Sequence, residues 1–473
     1  MDLSVPPAAW VVDTSLPQGL LTTPYIMTRR IIVGLLKFAM RIYFRRVEVV
    51  GLDHVPRRSP VIFVLNHPNA LVDPAVLLCL APRSVSFLAK SPLFRLPVLG
   101  YFVRALDSLP VYRHQDQGED VSKNREMFVA ARNLLKRGGT IGICPEGVSH
   151  NEPRLKPIKT GAARIALGAV STGEVADLKI VPAGLYYTSK TKFRSSALLY
   201  FGKPIEVTAV EMESDGNLPR AAVRELSNEI EAALREVMLD AEHEEALPAI
   251  TRAERIFSSE ADEEDDESLA EELQLQQRFI KAYSVLRDHS PERLRKLEVR
   301  MSRFEEELTQ AGVDPDDLSP PPSTLHVFWH LITRVLLFLL YVAPAALGAA
   351  VHYPAYRLGG YLATTFSRAE EDVISTIKII SAILLFPLTW LVAAAVLFKL
   401  LGWRYSLIAL VVLPLSGYIA IRFFEGLDKF LGSLRALLFF LMRRRFFVRL
   451  LAERRAIRSE ILALGEETAM LGQ

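Results

Sequence analysis

The amino-acid sequence predicts an α/β domain, a mixed sheet flanked by helices, followed by a charged helical hairpin and by apolar helices long enough to span a membrane. Three observations carry this reading. Short apolar runs alternate with helical periodicity from about residue 46 to 207. A chain of 473 residues is long for one domain. Half of the residues are hydrophobic and mean hydropathy is +0.21, yet the charged fraction is an ordinary 23%, so the apolar excess must be concentrated, and it lies in the last third.

Taken in order, residues 1–45 form an N-terminal segment. Arg30, Lys37, Arg41 and Arg45 fall on one helical face, with Ile32, Leu35, Phe38, Ala39 and Tyr43 opposite. That pattern suits a helix lying in a membrane interface, and equally one packed on its own domain with a solvated basic face. Residues 46–245 form the α/β domain. Strands are expected at 47–50, 61–65, 85–89, 140–144, 178–185 and 197–201, and helices at 75–80, 122–137, 160–170 and 218–244. Residues 246–273 read as an acidic linker and 274–323 as a charged helical hairpin hinged near His289-Ser290-Pro291.

Residues 324–425 carry the membrane segments, with uncharged runs at 335–356, 379–398 and 405–421; a span needs about 17–20 apolar residues. All three are long enough to span, but the first run, broken by Pro344 and Pro354, also reads as a re-entrant or interfacial segment, or else residues 358–367 help complete a fourth pass. Residues 426–473 form a basic tail including Arg443-Arg444-Arg445, which belongs on the cytoplasmic side. The N-terminus lacks the basic start of a secretory signal, which places the α/β domain there too and calls for an even number of crossings.

The formal net charge of +2 gives no basis for a nucleic-acid partner. Two cysteines, Cys79 and Cys144, read as buried thiols in a reducing compartment, and no Cys/His spacing suggests zinc. Ser149-His150 lacks the nucleophile elbow of a hydrolase. The apolar spans lack the internal charges that mark a transporter's substrate path.

The stretch most suited to chemistry is Asn66-His67-Pro68-Asn69-Ala70-Leu71-Val72-Asp73-Pro74. It follows an apolar strand and precedes a helix, at the sheet edge where α/β proteins place their sites. His67 can take a proton near neutral pH, and a carboxylate can hold its ring in one tautomer. The two meet only if His67 folds back from the preceding turn, and Asp73-Pro74 also suits an ordinary helix cap. A second stretch is Ser108-Leu109-Pro110-Val111-Tyr112-Arg113. A third, Cys144-Pro145-Glu146-Gly147-Val148-Ser149, again follows a strand. Lys156, Lys159 and Arg164 then surround a helix start, a natural anion site. The fourth is Val181-Pro182-Ala183-Gly184-Leu185.

In this order the four blocks resemble the glycerolipid acyltransferase superfamily, which includes glycerol-3-phosphate and lysophosphatidate acyltransferases, over about residues 45–210. The resemblance implies a glycerol-phosphate-acyltransferase-like fold with no bound cofactor, and acyl-CoA or acyl carrier protein as donor. It implies His67 as general base and Asp73 as its orienter. Asn66, Arg113, Glu146 and Gly147 would position the acceptor, and Val181-Pro182 would lie near the acyl site. The interval between His67 and Asp73 is one residue longer than the usual family spacing. Pro-Glu-Gly-Val-Ser-His stands where Glu-Gly-Thr-Arg is more usual, which leaves Lys156, Lys159 and Arg164 as substitute phosphate ligands. These departures resemble the branch of fungal glycerol-3-phosphate and dihydroxyacetone-phosphate acyltransferases. The expected function is a membrane-bound O-acyltransferase of phospholipid synthesis, with its catalytic domain at the cytoplasmic face and membrane lipids around it. Glycerol 3-phosphate or dihydroxyacetone phosphate is the first-choice acceptor and lysophosphatidate the alternative. A membrane scaffold with an inactive acyltransferase domain is the non-enzymatic alternative.

Overall fold

The structure is a computed structural model that describes residues 23–113, 115–116, 119–241, 246–258, 268–312, 324–367 and 370–471. It divides into two units. The first comprises Met1–Asp240 with Ala369–Thr376, and the second comprises Ala241–Arg368 with Ile377–Gln473.

The first unit runs α1 (Thr23–Tyr43), β1 (Arg46–Val50), β2 (Val61–Leu65), α2 (Val72–Leu80), β3 (Ser86–Lys90), α3 (Pro97–Ala105) and β4 (Leu109–Val111). It continues with α4 (Asn124–Lys136), β5 (Thr140–Ile143), α5 (Gly161–Ser171), β6 (Lys179–Tyr187), β7 (Ser196–Phe201), β8 (Ile205–Glu206) and α6 (Arg220–Val237). Among the described residues eight strands form one mixed sheet in the order β1-β7-β6-β2-β5-β3-β4, with β8 beside β6. β6 runs antiparallel to β7 and β8, and the other pairings are parallel. The mixed α/β fold expected from the alternating pattern is therefore present.

The central strand β2 reads Val-Ile-Phe-Val-Leu and all five residues are buried, as a parallel strand covered on both faces requires. Ile62 and Val64 join the core beneath α4, α5 and α6. Phe63 points to the opposite face, where its ring lies 5.3 Å from that of Phe201. α6 approaches β6 so closely that a Cβ on Gly184 would fall 1.8 Å from the Val237 carbonyl oxygen. Only glycine admits that approach.

Three short elements escape the sequence pattern. α3 begins at Pro97 and is nine residues long, and β4 and β8 have three and two residues. Such segments are too short to show a period. α6 stops at Val237, short of the expected 244, because Met238 turns extended. α1 divides its faces differently from the simple cation-versus-apolar split. Ile32, Met40 and Tyr43 are buried, as is Arg29, whose guanidinium donates to the carbonyls of Leu106 and Val85 at 3.1 and 2.7 Å. Met27, Ile31, Leu35 and Phe38 stay exposed on the same outward side as Arg30 and Arg41.

The second unit holds α7 (Ala246–Ser258), α8 (Leu269–His289), α9 (Pro291–Ala311), α10 (Thr324–Phe366), most of α11 (Glu371–Leu401), α12 (Trp403–Met442) and α13 (Arg444–Leu471). α7, α8, α9 and α13 share one core that includes Ala253, Ile256, Leu286, Leu297, Phe304, Phe447 and Leu450. Arg300 on α9 bridges Glu453 and Glu460 on α13 at 2.7 and 2.6 Å. Residues 246–258 are thus a packed helix and not linker, because Ala249, Ile250, Ala253 and Ile256 make a buried stripe at helical spacing. The acidic run 260–267 lies outside the described residues. The basic C-terminal segment is likewise no free tail, since α13 buries Phe447, Leu450, Ile457 and Leu464.

α10, α11 and α12 are long and apolar enough to cross a membrane, and most of the apolar stretch of each is exposed. α10 passes through Pro344 and Pro354 without ending, so residues 358–366 continue it and form no separate pass. α10 and α12 pack antiparallel. Phe338 meets Phe423 and Phe430 edge-on at 5.4 Å, while further along α10 Gly348 lies against Ser416. His352 donates from Nδ1 to the Gly348 carbonyl at 2.7 Å and accepts the Trp390 indole N–H at Nε2, 2.8 Å away. Both ring nitrogens are thereby satisfied inside an apolar layer.

Candidate active site

The site lies at the carboxyl ends of β2 and β5. β2 ends at Leu65 and α2 begins at Val72, so Asn66 to Leu71 must reverse the chain. Ala70 adopts φ +35° within this turn, a conformation uncommon for a residue with a Cβ. The turn folds His67 back over the first helical turn. There His67 Nδ1 lies 2.8 Å from Asp73 Oδ2. Asp73 is the second residue of α2, its N-cap position being Leu71. The carboxylate does not cap the helix, because it is engaged elsewhere. Oδ2 also accepts the Asn69 N–H at 2.7 Å, and Oδ1 accepts the Tyr187 hydroxyl at 2.7 Å. The Asp73 side chain is fully buried and that of His67 is 20% exposed.

The turn after β5 is joined to this one. Gly147, at φ +73°, closes it with an N–H bond to the Cys144 carbonyl at 3.0 Å. That positive φ favours glycine, while a Cβ there would meet only the flexible end of the Lys159 side chain. Glu146 is 3% exposed, and protein donors engage both its oxygens. Oε1 accepts the His67 N–H at 3.0 Å, while Oε2 accepts the Lys156 N–H at 2.9 Å and bonds His150 Nε2. The His150 N–H returns to the His67 carbonyl at 3.1 Å. Arg113 clasps Asp116 through two nitrogens, at 2.8 and 2.7 Å, and donates to the Gly147 carbonyl at 2.7 Å.

Other expected site residues take varied places. Asn66 exchanges two hydrogen bonds with the Leu185 backbone, at 3.0 and 2.7 Å, and so splices the end of β2 to β6. Pro182 is buried within β6 opposite Val64, where its missing N–H is tolerated and its carbonyl accepts the Gly202 N–H at 2.9 Å. Lys156 pairs with Glu152 at 3.1 Å. Lys159 lies over Gly147, and Arg164 is exposed on the first turn of α5.

Five further residues enter the site that sequence spacing did not single out: Asn69, Cys144, His150, Tyr187 and Lys190. Cys144 was expected to be buried, but it is only half-buried, one residue beyond β5, where it acts electrostatically on the His67 ring. Lys190 donates to the Asn151 carbonyl at 3.0 Å, and its own carbonyl accepts from Asn69 at 3.2 Å and from Ser375 Oγ. The motif Val181-Pro182-Ala183-Gly184-Leu185 ends two residues before Tyr187, so continuing its strand was the one available signal.

Electrostatics follow from these contacts. Burial pulls the His67 pKa down, but Cys144 and Asp73 more than offset it, leaving the imidazole well above its ordinary value. Burial and the Asp73 charge push the Tyr187 phenol well up. Burial lowers Lys190, against the nearby Asp73, Asp372, Glu371 and Glu146. Burial pushes the remote Cys79 thiol up to about 12. Among the described residues no three His, Cys, Asp or Glu side chains gather as a metal site. The arrangement can fix the Nδ1–H tautomer of His67, leave Nε2 to take a proton, and hold that ring between two stitched turns.

The chain is similar in sequence to known proteins. The Acyltransferase family model matches residues 46–186, and the model of the Glycerol-3-phosphate acyltransferase 2 C-terminal domain matches residues 250–469. Glycerol-3-phosphate O-acyltransferase 2 of Saccharomyces cerevisiae is 29% identical over 281 residues, 56% of this chain and 37% of that protein. An uncharacterized acyltransferase of Schizosaccharomyces pombe is 23% identical over 85% of this chain and 75% of its own length. A chloroplastic 1-acyl-sn-glycerol-3-phosphate acyltransferase of Brassica napus is 30% identical over 31% of this chain and 39% of its own length. With one model over the sheet domain and another over the helical remainder, the chain belongs to the glycerolipid acyltransferase superfamily, close to its fungal members of the glycerol-3-phosphate acyltransferase type.

Proposed function

We propose that the chain transfers a fatty acyl group from an acyl thioester, carried by coenzyme A or acyl carrier protein, to a hydroxyl of a glycerol-phosphate-type acceptor, first of all glycerol 3-phosphate or dihydroxyacetone phosphate. The observation that carries the reading is the 2.8 Å contact between His67 Nδ1 and the buried Asp73. With Nδ1–H held there, Nε2 takes the acceptor hydroxyl proton as the oxygen attacks the thioester carbonyl. The tetrahedral intermediate then collapses, and the thiol leaves with the proton returned by His67. Such general-base assistance is worth about 10²–10⁴-fold. Glu146 and Arg113 act by fixing the two turns, and the exposed Lys159 and Arg164 with the half-buried Lys156 supply the cations that a phosphate needs.

The match of residues 250–469 to a glycerol-3-phosphate acyltransferase C-terminal model favours the first acceptor. The likeness of the sheet domain to 1-acyl-sn-glycerol-3-phosphate acyltransferases favours lysophosphatidate as the second reading. The reaction belongs at the cytoplasmic membrane face. The antiparallel α10–α12 pair supports an even number of crossings, and the positive charge of α13 supports a cytoplasmic C-terminal segment.

The test is an assay of the full-length protein in lipid vesicles with each acceptor and an acyl-CoA or acyl carrier protein donor. Glycerol 3-phosphate or its keto analogue is expected to turn over and His67→Ala to abolish it. Turnover with lysophosphatidate alone would select the second reading. No turnover with any acceptor, or a His67→Ala protein as active as wild type, would reject the catalytic assignment in favour of a scaffold.

A further inference from the structure

We propose that Tyr187 is a positioning residue for this reaction, the outer member of a Tyr187–Asp73–His67 chain in which the phenol holds the carboxylate that holds the base. The inference rests on His67 acting as base. Its foundation is geometric. The Tyr187 hydroxyl donates to Asp73 Oδ1 at 2.7 Å, the oxygen that His67 leaves free. Asp73 belongs to α2 and Tyr187 to the last position of β6, 114 positions further along the chain. Local chain geometry therefore cannot hold the pair, and this bond is what ties the aspartate to the sheet.

The phenol itself has one direction available. Its ring stacks on Phe44 with centroids 5.8 Å apart and planes 22° from parallel, and Phe44 is 1% exposed. Burial and the neighbouring carboxylate keep its proton in place, so Tyr187 is a donor throughout the working pH range. A fully buried carboxylate without donors would be costly. His67, the Asn69 N–H and Tyr187 together satisfy it. The other charged or titratable groups around the pair are Cys144 from the end of β5, Glu146 and His150 from the following turn, Lys190 from the β6–β7 connection and Tyr43 from α1. Among the described residues Tyr187 is the donor to Oδ1.

Losing that donor leaves the carboxylate a stronger proton acceptor and freer to rotate. The protonated His67 beside it then persists to higher pH, and the ring loses its aim. In the full-length protein in vesicles, Tyr187→Phe is therefore expected to lower kcat by about tenfold, the worth of a hydrogen bond to a charged group. KM should change less than about twofold. The acid limb of kcat/KM should move to higher pH, and a fluorinated tyrosine at the same position, a stronger donor, should move it lower. In an Asp73→Asn background the Tyr187→Phe change should have no further effect, since the residue it acts through is gone.

A readout independent of turnover is the pH dependence of diethyl pyrocarbonate modification of His67, followed on its peptide by mass spectrometry. Its midpoint should rise in Tyr187→Phe and stay put when Asp73 is already Asn. If wild type modifies as expected but transfers no acyl group, the function is wrong and the chain stands. Wild-type kcat, pH profile and modification midpoint in Tyr187→Phe would overturn the proposal. Equal losses with and without Asp73 would overturn it too, as would a loss of folded protein with no change in the midpoint.

Discussion

His67 is held from three directions: its ring by Asp73, its backbone N–H by Glu146 and its carbonyl by His150. Because Cys144 and Asp73 raise its pKa against the pull of burial, the ring stays protonated at pH values where an ordinary histidine is neutral. A base must be neutral to act, so activity is expected to be low at acid pH. It should rise as pH passes through a value above the ordinary histidine midpoint of about 6.5. Asp73→Asn removes a supporting charge and should move that limb down while cutting kcat, as a pH–rate profile would show; an unmoved limb would deny the coupling. Cys144 offers a second handle at this scale. Its half-buried thiol acts electrostatically on the ring proposed as the base. Alkylation by iodoacetamide should therefore inhibit, an acceptor and donor pair should protect, and Cys144→Ala should keep activity and lose the sensitivity.

Among the elements, α1 shows how a helix can be read correctly and still be misassigned by face. Its buried side uses Ile32, Met40, Tyr43 and the hydrogen-bonded Arg29, leaving Met27, Ile31, Leu35 and Phe38 outward beside Arg30 and Arg41. An outward face with apolar and cationic halves suits a lipid interface. Leu35→Glu with Phe38→Glu places two charges on the apolar half and touches no buried residue. The doubly changed protein, with 377–473 retained, should dissociate no faster from membranes yet lose activity toward a vesicle-borne lipid acceptor more than toward a water-soluble one. Equal activity on both would deny α1 an interfacial role.

At the scale of the whole molecule, one chain builds two units with different sources of order. The sheet unit is a packed core beneath α4, α5 and α6, whereas the helical unit joins a water-facing bundle of α7, α8, α9 and α13 to the apolar α10, α11 and α12. Apolar helices gain little from burying more apolar surface in lipid, so close backbone approach carries their association. Gly348 is such a place, because a Cβ there would lie 2.1 Å from the Ser416 carbonyl oxygen. Gly348→Ala should force α10 from α12 and cost about 1–3 kcal/mol, read as a lower thermal midpoint in detergent. An unchanged midpoint would mean the two helices do not pack this way. Cooperative melting of the α7–α9 and α13 bundle should be spared.

The order of strands and helices, the apolar spans and the four motif blocks were legible in the chain because each is a local pattern: alternation, helical period, a run of uncharged residues, or a turn after a strand. The run 61–65 announced β2, and His67 beyond it announced a site. What the chain could not show is which residues meet. Asp73-Pro74 has the form of a cap, and only the fold turns its carboxylate toward His67, Asn69 and Tyr187. Glu146 has the form of a substrate ligand, yet its oxygens go to backbone N–H groups of two separate turns and to His150. Tyr187 carried no mark beyond its place on the strand of the fourth block, because its partner is 114 residues away. The physical reason is the same in each case. Local pattern follows from the dihedral and burial preferences of neighbours in sequence, whereas a hydrogen-bonded site follows from which strand ends the sheet order brings side by side.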